Sequence, residues 1–361
     1  MRVLMISKAC LVGIYQKKLE LIARSGVDLL ALVPPSWKDE RGEMRLERVY
    51  TDGYRLEAIP IVRSGDFHLH FYPTLGRHMR AFQPDIVHID EEPYNLSAWQ
   101  ALFHARRVGA KSLFFSWQNI ARRYPPPFSW GERWMLNTVD YALAGTESAA
   151  EVWRAKGYRG RMRVIAQFGT DPDLFQPAVT SPRPFTVGYF GRLVEEKGVH
   201  LLIDALGRLD GEWRALIVGG GTEADRLKAL AAAHGDRIAF REQVPSVEMP
   251  ALYHQIDALV LPSLTRPNWK EQFGRVLVEA MASGVPVIGS TSGAIPDVIG
   301  GAGLITPEGD TAALADALRR VREDATLQTE LAAKGRAHVL ERFTHAQVAA
   351  DTVEVYRTML E

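Results

Sequence analysis

A two-unit α/β chain, each unit a doubly wound parallel sheet, is predicted from three observations. Short apolar, β-prone runs alternate with longer amphipathic stretches along the sequence. The alternation breaks at the Pro-, Ser- and Thr-rich stretch 176–184 (QPAVTSPRP) and then restarts. The length, 361 residues, suits two domains at roughly 100–200 residues each.

In chain order, residues 3–6 form a buried strand, followed by a loop through Gly13 and a helix over 16–24. Residues 29–33 form the next strand, stopped by Pro34-Pro35, because proline lacks the N–H a sheet needs. Strands follow over 86–89, 112–115, 141–144 and 164–166, with helices over 96–108 and 148–156. Beyond the linker, strands are expected over 186–190, 214–218, 238–240, 258–261 and 285–289, with helices over 200–209, 224–234, 274–282 and 311–323. The tail, 344–360, is one more amphipathic helix, with Val348, Val355 and Leu360 near one stripe. The expected domains are 1–178 and 183–343, and ligands of such sheets bind at the carboxyl ends of the strands.

Composition excludes several classes. Hydrophobic residues at 47% and charged residues at 24% are ordinary globular usage, not that of a disordered or fibrous chain. Lys plus Arg equals Asp plus Glu at 43 each, so no global attraction to nucleic acid exists. The halves differ: residues 1–180 carry 24 basic and 19 acidic residues, a net of +5, and the second half carries −5. The basic half suits an anionic ligand or lipid headgroups, or is uneven solvated surface. Cys10 stands alone, which excludes an internal disulfide and a cysteine-based zinc site. The start, MRVLMISKACLVGIY, is interrupted by Lys8 and lacks the order of a signal peptide, and no uncharged apolar run reaches about 18 residues. A cytoplasmic enzyme, free or peripheral on the inner face of a membrane, is expected.

Four segments carry chemistry. Gly191-Arg192-Leu193-Val194-Glu195-Glu196-Lys197-Gly198 follows a strand and leads into a helix. A guanidinium and an ammonium beside a helix N-terminus make an anion site, although two isolated charges would be solvated surface. The second segment, EQFGRVLVEAMA, sets Glu271 and Glu279 eight residues apart, about 12 Å along one helix at 1.5 Å per residue. Placing Glu271 in a loop and Gly274 at the helix opening lets free N–H groups face an anion between two carboxylates. Glu279 sits amid Val276, Leu277, Val278, Ala280 and Met281, and a buried carboxylate needs partners. The third and fourth, Gly219-Gly220-Gly221 and Gly13, are turns after strands that permit close backbone approach.

Together these resemble the retaining GT-B glycosyltransferases of the group 1 type (family 4). The match covers nearly the whole chain and is strongest from 185 to 303, where EQFGRVLVEAMASGVPVIGS, Gly293-Ala294-Ile295-Pro296-Asp297-Val298-Ile299 and GRLVEEKGVHLLIDAL follow the family pattern. VIAQFGTDPDLF (164–175) resembles its pre-linker segment, with Phe168-Gly169 where an Asn-Gly pair is commoner. The resemblance implies a GT-B fold with a central cleft, the tail helix crossing back onto the N-terminal domain, and a hinge made by 176–184 and 344–360. It implies a nucleoside-diphosphate sugar as co-substrate, no cofactor and no metal, since Arg192 and Lys197 neutralise the leaving diphosphate.

By position, Arg192 and Lys197 bind the diphosphate, Glu279 the ribose, and Glu271 with the backbone of Gln272, Phe273 and Gly274 the donor sugar. Val244 lies against the base, Val276 and Leu277 complete the donor set, and Gly13, single where many relatives have a pair, approaches the phosphate from the N-terminal domain. Glu271, Arg192 and Lys197 are the catalytic candidates. The family's mid-domain His has no counterpart in Ser116-Trp117-Gln118-Asn119, which leaves Gln118 as a neutral hydrogen-bonding substitute. The acceptor, a cell-envelope glycan, lipid or small molecule, and the oligomeric state are open. Rival readings are a sugar-nucleotide epimerase or phosphorylase on the same architecture and a non-catalytic nucleotide-sugar binder. The epimerase would lack the paired glutamates, and the phosphorylase would need a pyridoxal lysine and a longer chain.

Three features remain. His68 and His70, with His78 nearby, alternate like metal ligands but lack accompanying carboxylates or cysteines, so 67–82 reads as an acceptor face or a packed loop. Residues 114–134 mix aromatics with Arg122, Arg123 and Arg133, which suits an acceptor-side loop or an aromatic cluster. Asp90-Glu91-Glu92 after a strand either binds acceptor hydroxyls, with Glu91 the named candidate, or is a solvated acidic turn.

Overall fold

The apolar runs of the first half become strands because only a sheet covered on both faces hides them completely. They are β1 (Arg2–Ile6) and β2 (Asp28–Val33), followed by a separate antiparallel hairpin of β3 (Ser36–Asp39) and β4 (Gly42–Arg45). Next come β5 (Arg55–Ala58), β6 (Ile86–Ile89), β7 (Lys111–Ser116), β8 (Tyr141–Ala144) and β9 (Arg161–Val164). The sheet is parallel, in the order β5-β2-β1-β6-β7-β8-β9. The second half repeats the plan with β10 (Thr186–Phe190), β11 (Arg214–Val218), β12 (Ile238–Arg241), β13 (Ala258–Leu261), β14 (Val287–Ser290) and β15 (Leu304–Thr306). Its order is β12-β11-β10-β13-β14-β15, again parallel. Each sheet reverses its strand order once, between β1 and β6 and between β10 and β13, and at such switch points the loops diverge and leave a crevice.

The computed structural model describes residues 1–39, 42–178, 183–245 and 248–361. They divide into one unit of Met1–Gly169 with His345–Glu361 and a second of Thr170–Thr344. The expected boundary at 178 therefore moves to Gly169. The segment after it belongs to the second unit because it packs there: Phe175 is buried edge-on against Tyr253, with ring centroids 5.8 Å apart, and Thr170 N–H donates to Phe343 O at 2.7 Å. Residues 179–182 of the expected linker lie outside the described residues.

Several elements differ from expectation for local reasons. The strand expected over 164–166 is Arg161–Val164, a charged edge strand whose side chains need not be apolar on both faces. The one expected over 285–289 begins two residues later, after Pro286, whose missing N–H cannot enter the ladder. Polar, half-exposed β5 carried no apolar signal. The segment 67–82 ends in a helix, Leu75–Phe82, and another helix, Phe128–Thr138, starts directly after the three prolines. Just before it, His68, Tyr94, Tyr124 and Phe128 form an aromatic cluster, with centroids 4.8–5.5 Å apart. No helix among the described residues is long and apolar enough to cross a membrane.

The tail helix, His345–Leu360, lies in the first unit against the helix Lys17–Arg24. Val348 and Val355 are buried as expected, but Leu360 is 46% exposed. Five residues beyond Val355 is about 140° around a helix, which takes Leu360 off the stripe. Ala349, Val353 and Tyr356 fill the contact instead. Arg163 grips the outer face through Asp351 at 2.9 Å and Glu354 at 2.5 Å. Beneath it, the Tyr356 hydroxyl lies 2.6 Å from Nδ1 of His88, a polar side chain inside β6 whose Nε2 has no partner. Burial, with Lys18 nearby, holds His88 well below the usual imidazole range and therefore neutral.

Tyr356→Phe removes the partner of His88 and is expected to lower the unfolding free energy by about 1–3 kcal/mol, the penalty for an unsatisfied buried polar group. Urea denaturation of the full chain checks it. Because the folded-state value is depressed, the contribution of a neutral His88 is complete above the unfolded-state value of about 6.5 and declines as pH falls below it. His88→Leu should flatten that acid limb.

Candidate active site

In the second unit, the crevice is built on glycine-mediated contact between two turns. Gly191, directly after β10, donates its N–H to Val218 O at 2.9 Å, and Leu193 donates to Gly220 O at 2.8 Å. A Cβ on Gly219 would stand 1.8 Å from Gly191 O, so only glycine lets the turns after β10 and β11 touch. Arg192 leaves this turn with its side chain 60% exposed and its guanidinium 3.7 Å from Glu196. A cavity of about 190 Å³ opens there, lined by Arg192, Gly219, Val244, Arg275, Val276 and Glu279, among others.

Lys197 and Glu271 meet at this switch point. Lys197 Nζ lies 2.5 Å from Glu271 Oε2 and 5.1 Å from the centroid of Trp269. The same carboxylate oxygen accepts a hydrogen bond from Ser263 Oγ at 2.9 Å, just beyond β13. The backbone of Glu271 is pinned as well: Ala294 N–H donates to its carbonyl at 3.0 Å, and a Cβ on Gly293, at φ +53°, would fall 2.1 Å from that oxygen. The predicted loop position of Glu271 and helix opening at Gly274 are both observed, the helix running Arg275–Ala282.

Glu279 is buried within that helix and has the partners its surroundings demand. Arg275 Nε lies 2.9 Å from Oε1, one helical turn away, and the Tyr253 hydroxyl donates to Oε2 at 2.8 Å. Burial pushes the Glu279 carboxyl up, against the pull of Arg275 and Tyr253. Of the other expected residues, Gln272 is exposed and Phe273 packs edge-on against Phe343, with centroids 5.7 Å apart. The Leu277 side chain is fully buried beneath Gly274 beside Leu261, where the apolar face of the helix must point.

The first unit has its own cavity, of about 320 Å³, at the switch point between β1 and β6. Lys8, Asp90, Glu91 and Glu92 line it together with Trp37, Phe67, Phe115 and Trp117. The reading of 90–92 as a solvated turn is excluded, since Asp90 and Glu91 are buried. Asp90 accepts from the Ser7 hydroxyl and from Gln167 Nε2 at 2.8 Å. Glu91 pairs with Lys8, and its Oε1 lies 3.6 Å from His70 Nε2. Burial works against its charge, but Lys8 and then His70 outweigh it and hold the carboxyl down at about 2. Glu92 accepts from Ser116 Oγ at 2.5 Å and Trp117 N–H at 2.8 Å, yet burial still pushes it up to about 7.

Gln118 does not line that cavity. Its Oε1 accepts from Lys156 Nζ at 2.9 Å, a lysine also held by Glu132 at 2.5 Å. Gly13 is also engaged: its N–H donates to Glu47 at 2.6 Å and a Cβ would strike Val49, so the turn packs closely on its own chain. Among the described residues no three His, Cys, Asp or Glu side chains converge as metal ligands, and His70 instead contacts Asp66 O and Glu91.

Two family models match consecutive parts of the chain: "Glycosyl transferase 4-like domain" over 17–167 and "Glycosyl transferases group 1" over 171–338. Glycogen synthase of Mycobacterium tuberculosis is 35% identical over 297 residues, 77% of this chain and 69% of that protein. The chain belongs to the group 1 glycosyltransferases. This glycosyltransferase is also 29% identical, over 72% of its length and 74% of the relative's, to the lipopolysaccharide core biosynthesis mannosyltransferase LpcC of Rhizobium leguminosarum bv. viciae. Among solved structures, sucrose-phosphate synthase from Thermosynechococcus elongatus aligns with a TM-score of 0.74 at 20% identity, over 100% of this chain and 99% of that one. Anabaena Alr3699/HepE in complex with UDP aligns at 0.72 and 20%, over 99% and 100%. The fold is GT-B.

Sequence reasoning missed Arg275, Tyr253 and Ser263 in this glycosyltransferase. The buried setting of Glu279 signalled that a partner exists, and Arg275 at i−4 was within reach of a helix-spacing argument. Tyr253 and Ser263 come from other loops, which only the fold brings near. Gly219→Ala should abolish the contact with Gly191 and destabilise the second unit by more than about 1 kcal/mol, since a side chain there is strained as well as crowded. Gly220→Ala, where a Cβ meets nothing within 4 Å, should stay within about 0.5 kcal/mol. Thermal unfolding of the two variants checks the contrast.

Proposed function

We propose that this glycosyltransferase takes a sugar from a nucleoside diphosphate and passes it, with retention of anomeric configuration, to a hydroxyl acceptor. The C1–phosphate bond breaks, the acceptor oxygen bonds to C1, and the acceptor proton leaves with the diphosphate. The donor is assigned to the second unit. Arg192 and Lys197 bind the diphosphate, Glu279 the ribose hydroxyls, Val244 the base, and Glu271 with the backbone of Gln272–Gly274 the transferred sugar. The observation carrying this reading is the Lys197–Glu271 pair, 2.5 Å apart beside the crevice that holds Arg192 and Glu279. A cation for the leaving group and a carboxylate for sugar hydroxyls are thereby fixed in one place. The relatives support it: glycogen synthase and LpcC are named for glycosyl transfer, and HepE was solved with UDP.

Lys197 is aimed before any ligand arrives. Glu271 and the Trp269 face hold the ammonium in place, so less reorganisation is needed when a diphosphate arrives. Arg192, largely exposed, is the partner that offers its fork to phosphate oxygens.

Arg192→Ala and Lys197→Ala should each weaken nucleoside diphosphate binding by roughly 1.5–3 kcal/mol, about ten- to hundred-fold, while a free nucleoside binds as before. Calorimetry with UDP, GDP and ADP against their nucleosides reads the difference, and equal diphosphate affinities in wild type and both variants would defeat the assignment. Kinetics separate the glutamates. Glu279→Ala should raise donor KM with kcat nearly kept, and Glu271→Ala should chiefly lower kcat. Reversed phenotypes would overturn the division of roles.

A further inference from the structure

Two side chains from different elements reach the Glu279 carboxylate, one at each oxygen. Arg275 Nε lies 2.9 Å from Oε1, and the Tyr253 hydroxyl donates to Oε2 at 2.8 Å. Arg275 opens the helix that carries Glu279 and stands one turn before it, so its side chain runs along the helix surface, 44% exposed. Tyr253 ends a short helix, Met249–Tyr253, and is fully buried. Phe175 and Phe190 hold its ring edge-on, with centroids 5.8 and 5.1 Å away, so the hydroxyl is kept where it stands. A second acceptor, Val276 O, lies farther off at 3.4 Å, and the single phenol proton goes to the carboxylate.

These contacts decide what the carboxylate can still accept. An ionised carboxylate has about four lone-pair positions, two on each oxygen. Arg275 and Tyr253 each take one, on different oxygens, and the part of the side chain that stays exposed, 6%, belongs to the cavity Glu279 lines. Two neighbouring hydroxyls suit that remainder, each donating to one oxygen. A phosphate or a carbonyl, which can only accept, does not. The arrangement needs an ionised Glu279. Burial pushes its carboxyl up, and Arg275 and then Tyr253 pull it back down. Arg192, from the turn after β10, is the other charged group lining that cavity among the described residues. Tyr253 remains a donor, since burial and then the carboxylate beside it push its phenol well above the usual range.

We infer that Arg275 and Tyr253 are positioning residues of the transfer reaction, fixing the Glu279 carboxylate as a two-oxygen acceptor for the vicinal hydroxyls of the donor ribose. The inference rests on the reading of Glu279 as the ribose contact. What it adds is that this contact fails when either support is removed with Glu279 still in place. Supports of the fold alone would weaken every nucleotide alike.

Calorimetry on the full chain with UDP, GDP and ADP, followed by the 2′,3′-dideoxy analogue of the tightest binder, provides the test. In the wild type at pH ~8 the analogue should bind about tenfold or more weakly than its parent, because two hydrogen bonds to a charged group are lost. In Tyr253→Phe and in Arg275→Met, shown to be folded by circular dichroism, that ratio should fall to about threefold or less. Tyr253→Phe, which changes no charge, should leave the affinity of the analogue itself within about twofold. In both variants the remaining preference should vanish at a higher pH than in the wild type, since a carboxyl that has lost a donor takes up its proton sooner as pH falls. Glu279→Ala should abolish the preference. If no diphosphate binds, if the wild type shows no preference, or if Glu279→Ala keeps it, the ribose reading falls and this inference with it. A preference that Glu279→Ala abolishes but Tyr253→Phe and Arg275→Met keep at every pH overturns this inference and leaves the ribose reading standing. Its survival in one of the two variants removes that residue from the assignment.

Discussion

Every carboxylate withdrawn from water in this protein has to be met by donors, and that requirement organises both crevices. Leaving such a charge unpaired costs several kcal/mol, so each one dictates what stands around it. Glu271 draws together Lys197 from the loop after β10 and Ser263 from the loop after β13, the two loops that diverge at the switch point. Glu279 does the same between its own helix and Tyr253. In the first unit Asp90, Glu91 and Glu92 gather Ser7, Lys8, Gln167 and Ser116 from three segments. The acidic groups are thus both chemical equipment and the fasteners of the loops that carry them.

The two units use one plan for opposite ends. Both sheets are parallel and reverse once, and both have their cavity at carboxyl ends of strands. In the second unit the crevice is edged with glycines and carries exposed guanidinium, a setting where backbone comes close and negative charge is welcome. In the first it is walled with indole and phenyl rings around paired and hydrogen-bonded charges. Sheet topology supplies the location, and the loop residues alone supply the chemistry.

Much of this was legible beforehand, because fully buried strands leave an apolar signature. The strands over 186–190, 214–218 and 258–261 were readable to the residue, as was the helix Thr311–Glu323, which begins at an Asp310 cap. What escaped was structure whose signal is weak. Edge strands such as Arg55–Ala58 and Arg161–Val164 are polar because one side of their ladder is open. The local placement was readable where residues lie close in sequence, as with Glu271 in a loop, Gly274 at the helix opening and Glu279 inside the helix. It failed where a contact joins distant segments. Nothing local links Tyr253 to Glu279 or Glu47 to Gly13.

The return of the tail helix to the first unit has a consequence for the order in which the protein is made. Thr170–Thr344 is uninterrupted, whereas the first unit needs residues from both sides of it. During synthesis the first unit emerges early but cannot be completed until the tail helix arrives, which at about 5–20 residues per second is on the order of ten to forty seconds later. For that interval the face of Lys17–Arg24 and the imidazole of His88 lack their cover. The second unit, later in sequence, is the first able to finish. A nascent chain stalled before residue 345 would therefore present a complete second unit attached to an apolar surface awaiting its tail helix.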